Sequence, residues 1–387
     1  MPSQAVKKAF QMCAQAVACG RIGSGGKSMP QRNIHAERRD RLRRAMRARG
    51  LDALLVSSAP NRFYLSGFEL HDPQPNESAG RLVIAADGRD WLATDSRYAE
   101  AAFRLWERER VVVYKGEGAS ELADLLRRCG SRLGLESNSV SLAFARALAK
   151  ARPSLSLEAA DGLVEGLRKI KDAVEIAALE RAFALNHAMF RWVEGELAPG
   201  RSEREIAWSV ERFFRERGAV ELAFPSIVAV GRNAALPHAI PGDDALEDNC
   251  LVLIDAGCRV DGYCSDQTRT FWRGERPAEA FSSALRLVRE AQDAAVRKMR
   301  PGMTFAEAYA IANAVFERGG VAEHFTHGLG HGVGLETHEA PSLSPRVSGH
   351  LEPGMAVTVE PGLYYPEWGG IRWEYAVLVE EDGVRIL

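Results

Sequence analysis

Four acidic residues of this 387-residue chain stand where strands would carry them to one centre. Asp255 follows the apolar run LVLI, whose β-branched Val252 and Ile254 suit a strand. Asp266 comes eleven residues later in GYCSDQTRTF, far enough to return on a neighbouring hairpin strand. Glu360 follows AVTV, and Glu374 lies fourteen residues on, before AVLV and after a turn containing Gly369 and Gly370. Four carboxylates at the centre of a sheet cannot all stay ionised without cations, because burying an unpaired charge is very costly. Divalent ions roughly 3.5–4 Å apart, bridged by such carboxylates, are a known arrangement for hydrolysis. Histidines gather beside them. FTHGLGHGVGLETHE holds His327, His331 and His338 among Gly328, Gly330, Gly332 and Gly334, and ALPHAIPGD holds His238. The glycines oppose a helix and let backbone and imidazoles approach a crowded centre. Four of the nine histidines fall in these two short segments, which argues against a solvent-exposed glycine loop with incidental histidines.

The elements that must position these groups repeat. LAPGRSEREIAWSVERFFRERGAV is similar to RPGMTFAEAYAIANAVFERGGV, each with Pro-Gly, a capping Ser202 or Thr304, and a helix. Pro199 and Pro301 are 102 residues apart, Asp255 and Glu360 are 105, and Asp266 and Glu374 are 108. Such a slow drift is expected of two diverged copies facing each other about a pseudo-twofold axis, each giving two carboxylates. Upstream, HAERRDRLRRAMRARG reads as a charged helix, LDALLVSS, RLVIAADG, DWLATD and VVVYKG as strands, and ASELADLLRRCG and LAFARALAKA as helices. This alternation predicts an α/β layer, ending at a seam over 152–161 that contains Pro153. The long pattern that follows, VEGLRKIKDAVEIAALERAFALNHAMFRWVEGEL, predicts one or two helices, with His187 as a structural residue.

The bulk numbers exclude several classes. Net charge is -2, which gives no field favouring nucleic acid or an anionic membrane, and no apolar run is long enough to span a bilayer. Six cysteines without a CxxC pair read as reduced thiols of a cytoplasmic protein. Cys258 and Cys264 lie near two acidic candidates, but packing suits them better than ligation of a hard ion. In GRIGSGGKS, Arg21 stands where a phosphate loop needs its leading glycine. Residues 1–33 are expected to be a disordered extension, with Met29 as the natural start.

At these motifs the chain resembles the creatinase/methionine-aminopeptidase superfamily, and within it the proline-specific branch of Xaa-Pro aminopeptidases and Xaa-Pro dipeptidases (prolidases). The resemblance runs from about Ile34 to the C-terminus. It is carried by NRFYLSGF and TDSRYAEAA, then by RKIKDAVEI, DAGCRVDGYCSDQTRTF, HGLGHGVGLETHE and EPGLYYPEWGGIRWEYAV. It implies an α/β (α+β) chain with a creatinase-like domain over 34–160 and a pita-bread catalytic domain over 161–387. It implies two divalent ions, Mn²⁺ foremost with Co²⁺, Fe²⁺ or Zn²⁺ as alternatives. Asp255, Asp266, His331, Glu360 and Glu374 match the metal ligands, with Asp266 and Glu374 as bridges. His238, His327, His338, Glu360 and Arg372 match the catalytic and substrate-contacting groups, Glu360 as proton acceptor and later donor. Peptides with proline at the second position are the implied substrates and a homodimer the implied assembly.

Two departures stand out. Trp373 replaces a small aliphatic residue and Tyr375 an acid, which puts the orientation of Arg372 in question. With no further basic residue evident to clamp a dipeptide's carboxylate, the sequence leans to Xaa-Pro aminopeptidase over dipeptidase. A metal-free creatinase-like hydrolase and an inactive binding module of the same fold are disfavoured because all five ligand positions are kept. One expectation is checkable by mass spectrometry: native protein should begin at or near Met29, and an acetylated or processed terminus near Met1 would refute it.

Overall fold

The charged helix expected to open the first region is α1 (Ile34–Ala48), whose Leu42 and Met46 are fully buried while most of its arginines reach carboxylates or carbonyls around it. The computed structural model describes residues 34–74, 77–116 and 118–387. The expectations for residues 1–33, including the start at Met29, therefore lie outside the described residues. After α1 come β1 (Ala53–Val56), α2 (Ala59–Ser66), β2 (Arg81–Ala85), β3 (Asp90–Asp95), α3 (Ala99–Leu105), β4 (Val111–Tyr114), α4 (Ala119–Leu126), β5 (Arg132–Leu135), α5 (Leu142–Ala151) and β6 (Ser156–Ala159). The strands form one mixed sheet in the order β4-β3-β2-β1-β5-β6. Its middle strand β1 (ALLV) is buried at every residue, as a strand covered on both faces must be. The sequence reading missed β5 and β6, because RLGL and SLEA have neither β-branched residues nor a length that shows a period. β6 runs through the seam predicted over 152–161.

Two helices then follow, within the one or two expected. α6 (Leu163–Arg168) and α7 (Ala173–Val193) are separated by the KIKD turn, where the side chain of Asp172 accepts from Val174 N and Glu175 N and caps α7. His187 on α7 bonds the backbone oxygen of Leu387 and the side chain of Gln267, a structural role.

The duplicated half begins with α8 (Glu203–Glu216), β7 (Glu221–Leu222), β8 (Ile227–Val230), β9 (Cys250–Ala256), β10 (Cys258–Val260), β11 (Tyr263–Cys264) and β12 (Gln267–Arg273). The second copy follows as α9 (Glu279–Lys298), α10 (Phe305–Gly319), β13 (Gly330–Gly332), β14 (Glu339–Leu343), β15 (Ala356–Val359), β16 (Gly362–Tyr365), β17 (Gly369–Arg372), β18 (Tyr375–Val379) and β19 (Val384–Ile386). Strands pair as β12-β9-β8 and as β14-β13-β15-β18-β19, with β11-β10-β7 and β16-β17 beside them. The repeat is visible in detail. Both α8 and α10 start with a capping box, Ser202 with Glu205 and Thr304 with Glu307. Both starts bridge to the loop before the acidic strand, Ser202 to Ala245 and Thr304 to His350. Gly200 N donates to Leu246 O and Gly302 N to Leu351 O, each at 2.8 Å. The core between sheets and helices includes Leu253, Val288, Ala295, Ala312, Phe316 and Val357.

The capping boxes anchor equivalent places in the two copies, so losing either should cost a similar amount. Ser202→Ala and Thr304→Ala are each expected to lower unfolding free energy by about 1 kcal/mol, with near-additive loss in the double variant. Denaturant titration followed by tryptophan fluorescence checks both.

Candidate active site and metal centre

The side chains that sequence spacing brought forward meet at the edges of the two copies' strands. β9 delivers Asp255 near its end and β12 begins immediately after Asp266; the two strands pair with Asp255 opposite Thr268. In the second copy Glu360 follows β15 and Glu374 precedes β18, whose Tyr375 pairs with Val359. β13 adds His331. The turn expected to contain Gly369 and Gly370 is instead the start of β17. Gly369 adopts φ 143° and lies against Gly231 and Leu251, where a side chain has no room.

Asp255, Asp266 and Glu374 are buried and offer oxygens within 4.8 Å of one another. Asp266 also lies 3.5 Å from His331 Nε2, which in turn is 3.2 Å from Glu360 Oε1. Asp266 thus belongs both to the carboxylate cluster and to the His331–Glu360 pair, the placement a bridging group requires. The electrostatics demand positive charge. Burial, then the charges of Glu374 and Asp255, push the Asp266 carboxyl well above its ordinary range. Burial and the neighbouring Glu360 and Asp255 do the same to Glu374. Burial also raises Asp255, against the pull of Arg372. Glu360 behaves oppositely: burial would raise it, but the His331 hydrogen bond and charge bring it down to about 2, while His331 rises to about 9. Two buried oxygens, Asp255 Oδ1 and Glu374 Oε1, have no hydrogen-bond partner in the protein. Unpartnered oxygens, mutual repulsion and a donor set of carboxylates with one imidazole fit hard or borderline divalent cations.

Around this cluster lies a second layer that sequence reasoning only partly found. Thr268 donates to Glu374 Oε2 at 2.8 Å, and Thr358 donates to Glu360 Oε1 at 2.9 Å while accepting from His331 N. Tyr364 accepts from Arg372 at 2.8 Å and shares a 2.9 Å bond with His327 Nε2. The two threonines were overlooked, although their alternation along strands that carry a carboxylate on the same face was a usable signal. His238, His327, His331, His338 and Glu360 all line a cavity of about 500 Å³ with Asp255 and Asp266 on its wall. Phe224, Pro225, Ile227, Pro237 and Ile240 make its apolar side. His338 packs against His331 with ring centroids 4.1 Å apart, and burial, followed by the nearby His331, lowers its pKa. Burial lowers His327 as well.

Arg372 is not left loose by the loss of the acid at position 375. Its guanidinium reaches Asp255 Oδ2 at 2.7 Å, Tyr364, Thr268 Oγ1 and Pro237 O. The group facing the two departures is Arg269. Its guanidinium carbon lies 4.4 Å from the Trp373 ring centre and 4.3 Å from that of Tyr375, and Arg289 stacks on Trp373 at 4.7 Å. Arg269 donates to the backbone oxygens of Thr268 and Glu374. Two aromatic faces therefore hold a buried cation beside Glu374. Cys258 and Cys264 do not join the site; both are buried, and burial pushes their thiols up to about 12 and about 11.

With this geometry established, the comparisons are specific. The model of metallopeptidase family M24 matches residues 177–381, and that of the creatinase/prolidase N-terminal domain matches residues 38–170. The chain belongs to metallopeptidase family M24. Its mixed N-terminal layer and duplicated C-terminal half are the creatinase-like and pita-bread parts of that fold, and it falls in the proline-specific branch. An uncharacterized peptidase of Bacillus subtilis, YqhT, is 36% identical over 90% of this chain and 96% of its own length. An Xaa-Pro dipeptidase of Pyrococcus horikoshii is 34% identical over 87% of this chain and 92% of its own. Among solved structures, an Xaa-Pro dipeptidase from Bacillus anthracis superposes with TM-score 0.85 at 35% identity, covering 91% of this chain and 97% of that one. An X-Pro aminopeptidase from Thermotoga maritima superposes at 0.79 with 31% identity, over 89% and 97%. The M24 metallopeptidase assignment implies divalent ions, and the carboxylate cluster is where this chain has room for them.

Two outcomes test this site without an activity assay. Asp266→Ala should sharply lower the metal bound per chain, measured by elemental analysis. Tyr375→Asp should keep metal affinity and thermal midpoint close to the parent, because a carboxylate also pairs with Arg269; Tyr375→Lys should lower both.

Proposed function

We propose that this M24 peptidase is a dinuclear metal-dependent Xaa-Pro dipeptidase that acts on peptides with proline at the second position. The observation that carries the metal reading is the buried cluster of Asp255, Asp266 and Glu374 joined through Asp266 to His331 and Glu360. These five side chains would hold two divalent ions, with Mn²⁺ favoured by a donor set of four carboxylates and one imidazole. When bound, the ions supply Lewis acidity and an activated water at neutral pH.

The rest is done by the chain. Glu360, on the cavity wall beside His331, is placed to take a proton and return it to the leaving nitrogen. His238 and His338 face the same cavity and donate to the carbonyl oxygen and leaving group as charge develops. His327, Tyr364, Arg372 and Asp255 form one chain of polar contacts that orients Asp255. The apolar wall from Phe224 to Ile240 offers the proline ring a surface free of competing polar groups. The creatinase-like layer over 34–160 and the catalytic part over 161–387 would act as a homodimer in the cytoplasm. No helix among the described residues is long and apolar enough to cross a membrane.

The sequence leaned toward aminopeptidase. The names of the Pyrococcus and Bacillus anthracis relatives move the choice to dipeptidase. A specific observation keeps the aminopeptidase reading second. Of the residues lining the cavity, Arg372 is the only arginine or lysine, and it is held by Asp255 and Tyr364, leaving no free guanidinium or ammonium there for a dipeptide's carboxylate.

Chelated enzyme should be inactive and regain activity with Mn²⁺. The ratio of kcat/KM for Xaa-Pro over Xaa-Pro-Yaa-Zaa is expected to exceed about tenfold; the reverse preference would establish the aminopeptidase. His238→Ala and His338→Ala should each lower kcat by roughly 10²–10³ with metal content unchanged.

A further inference from the structure

The motif RKIKD, between the two layers, has no part in the chemistry described so far, yet its two outer cations are almost fully buried. Arg168 is 2% exposed and Lys171 5%. Both aim at one carboxylate. Arg168 Nη2 donates to Glu339 Oε1, and Lys171 Nζ donates to Glu339 Oε2 at 2.9 Å. Glu339 directly follows His338. Its carboxylate also accepts from Glu336 N at 3.1 Å, which closes the 336–339 turn. On its other side it packs against the His331 segment, where a Cβ built on Gly334 would fall 2.7 Å from either oxygen. The charge thus sits in the bend that aims both imidazoles.

Arg168 has further partners, and its Nη2 also donates to Glu336 Oε2 at 2.8 Å. Its Nη1 donates to Asn61 Oδ1 at 2.7 Å, and the Asn61 amide donates to Glu136 and Glu165, each at 2.7 Å. Asn61 lies in α2 and Glu136 follows β5, so the amino-terminal layer holds the far end of the guanidinium. The contrast within the motif is informative. Lys169, between the two buried cations, pairs with Glu352 near the surface and touches none of these groups.

We propose that Arg168 is a positioning residue for His338: with Lys171 it locks the buried Glu339 carboxylate, and through Asn61 it ties that lock to the amino-terminal layer. Glu339 is the one fully buried carboxylate of the cluster and both cations grip it, while the Glu336 that Arg168 also reaches is half-exposed, and a shift of about 1 Å in a reacting group can cost about 10²-fold in rate. A docked amino-terminal layer is on this account part of what aims the imidazole, not only a neighbour of the cleft. The kinetic part rests on the proposed peptidase reading; the positional part does not.

The test combines kinetics with an activity-independent signal. Full-length protein labelled with ¹⁵N-histidine is prepared as the parent, Arg168→Met, Arg168→Lys, Asn61→Ala and Lys169→Met, with the His338 resonance assigned by its loss in His338→Ala. Arg168→Met should move that resonance and lower kcat on an Xaa-Pro dipeptide by roughly 10–100-fold, the range for losing an orienting partner, with little change in KM or metal content. Arg168→Lys should recover part of both, Asn61→Ala should show a smaller change of the same sign, and Lys169→Met should match the parent. Because Arg168→Met removes one of the two cations on Glu339, Arg168→Met/Lys171→Met/Glu339→Leu, which leaves none of the three buried charges unpaired, is made as well; it should recover thermal stability while the resonance and kcat stay displaced. A folded Arg168→Met or triple variant with an unmoved His338 resonance overturns the proposal. A moved resonance in a protein whose parent hydrolyses no Xaa-Pro peptide overturns the peptidase reading and leaves the positioning role standing.

Discussion

Four carboxylates and one imidazole share a buried centre, and almost every other feature of the catalytic half answers to that concentration of charge. Burial and mutual repulsion push Asp266 and Glu374 toward the protonated state, whereas His331 holds Glu360 ionised. The protein's own compensation is the His331 imidazole on Glu360, one guanidinium on Asp255 and hydroxyl donors from Thr268 and Thr358. That is too little positive charge for four ionised groups. Divalent cations fill the deficit, so metal affinity and the integrity of the centre are one property.

Duplication explains how so costly an arrangement is held. Each copy places one carboxylate at the end of a strand and another at the start of its hairpin partner, with a capped helix bridged to the loop before the first strand. The copies are not equal in detail. The second carries His331 and the glycines that let β13 press against β14 and β15. The aromatic pair Trp373 and Tyr375 shows how such a centre tolerates substitution. Two ring faces meet Arg269 by cation–π attraction, and the cation reaches the Glu374 carbonyl. A buried arginine needs a partner; the partner need not be anionic.

The amino-terminal layer has its own six-stranded sheet and its own core of Leu55, Val83, Trp91, Leu122 and Phe144. It is bound to the catalytic half by buried ion pairs as well as by apolar contact. Arg38 pairs with Asp172 at the cap of α7 and with Glu175, and Arg168 reaches back by a buried hydrogen bond to the Asn61 amide oxygen. Buried pairs add little net stability over apolar packing, but breaking one side is expensive. They serve better as registration devices, setting how the two layers meet.

How much of this was legible beforehand depends on range. The acidic strands, the duplicated helix starts and the glycine-histidine segment were readable, because period, capping chemistry and charge leave marks within a few residues of each other. The same holds for α5, whose LAFARALAKA pattern matches the observed helix residue for residue. β5 and β6 left no such mark: four residues each, with no β-branched side chains, take their form from the sheet beside them. The partners of Arg372 could not be read either, since Asp255 lies 117 residues away and only folding decides which carboxylate meets which cation. Sequence by itself determined the family, the α/β layering and the side chains able to form the centre, because those rest on local pattern and residue type. Tertiary structure alone decided that Asp266 stands between two clusters, that Arg269 lies against the rings of Trp373 and Tyr375, and that RKIKD points at Glu339. Each of these depends on distances between segments that the chain brings together only when it folds.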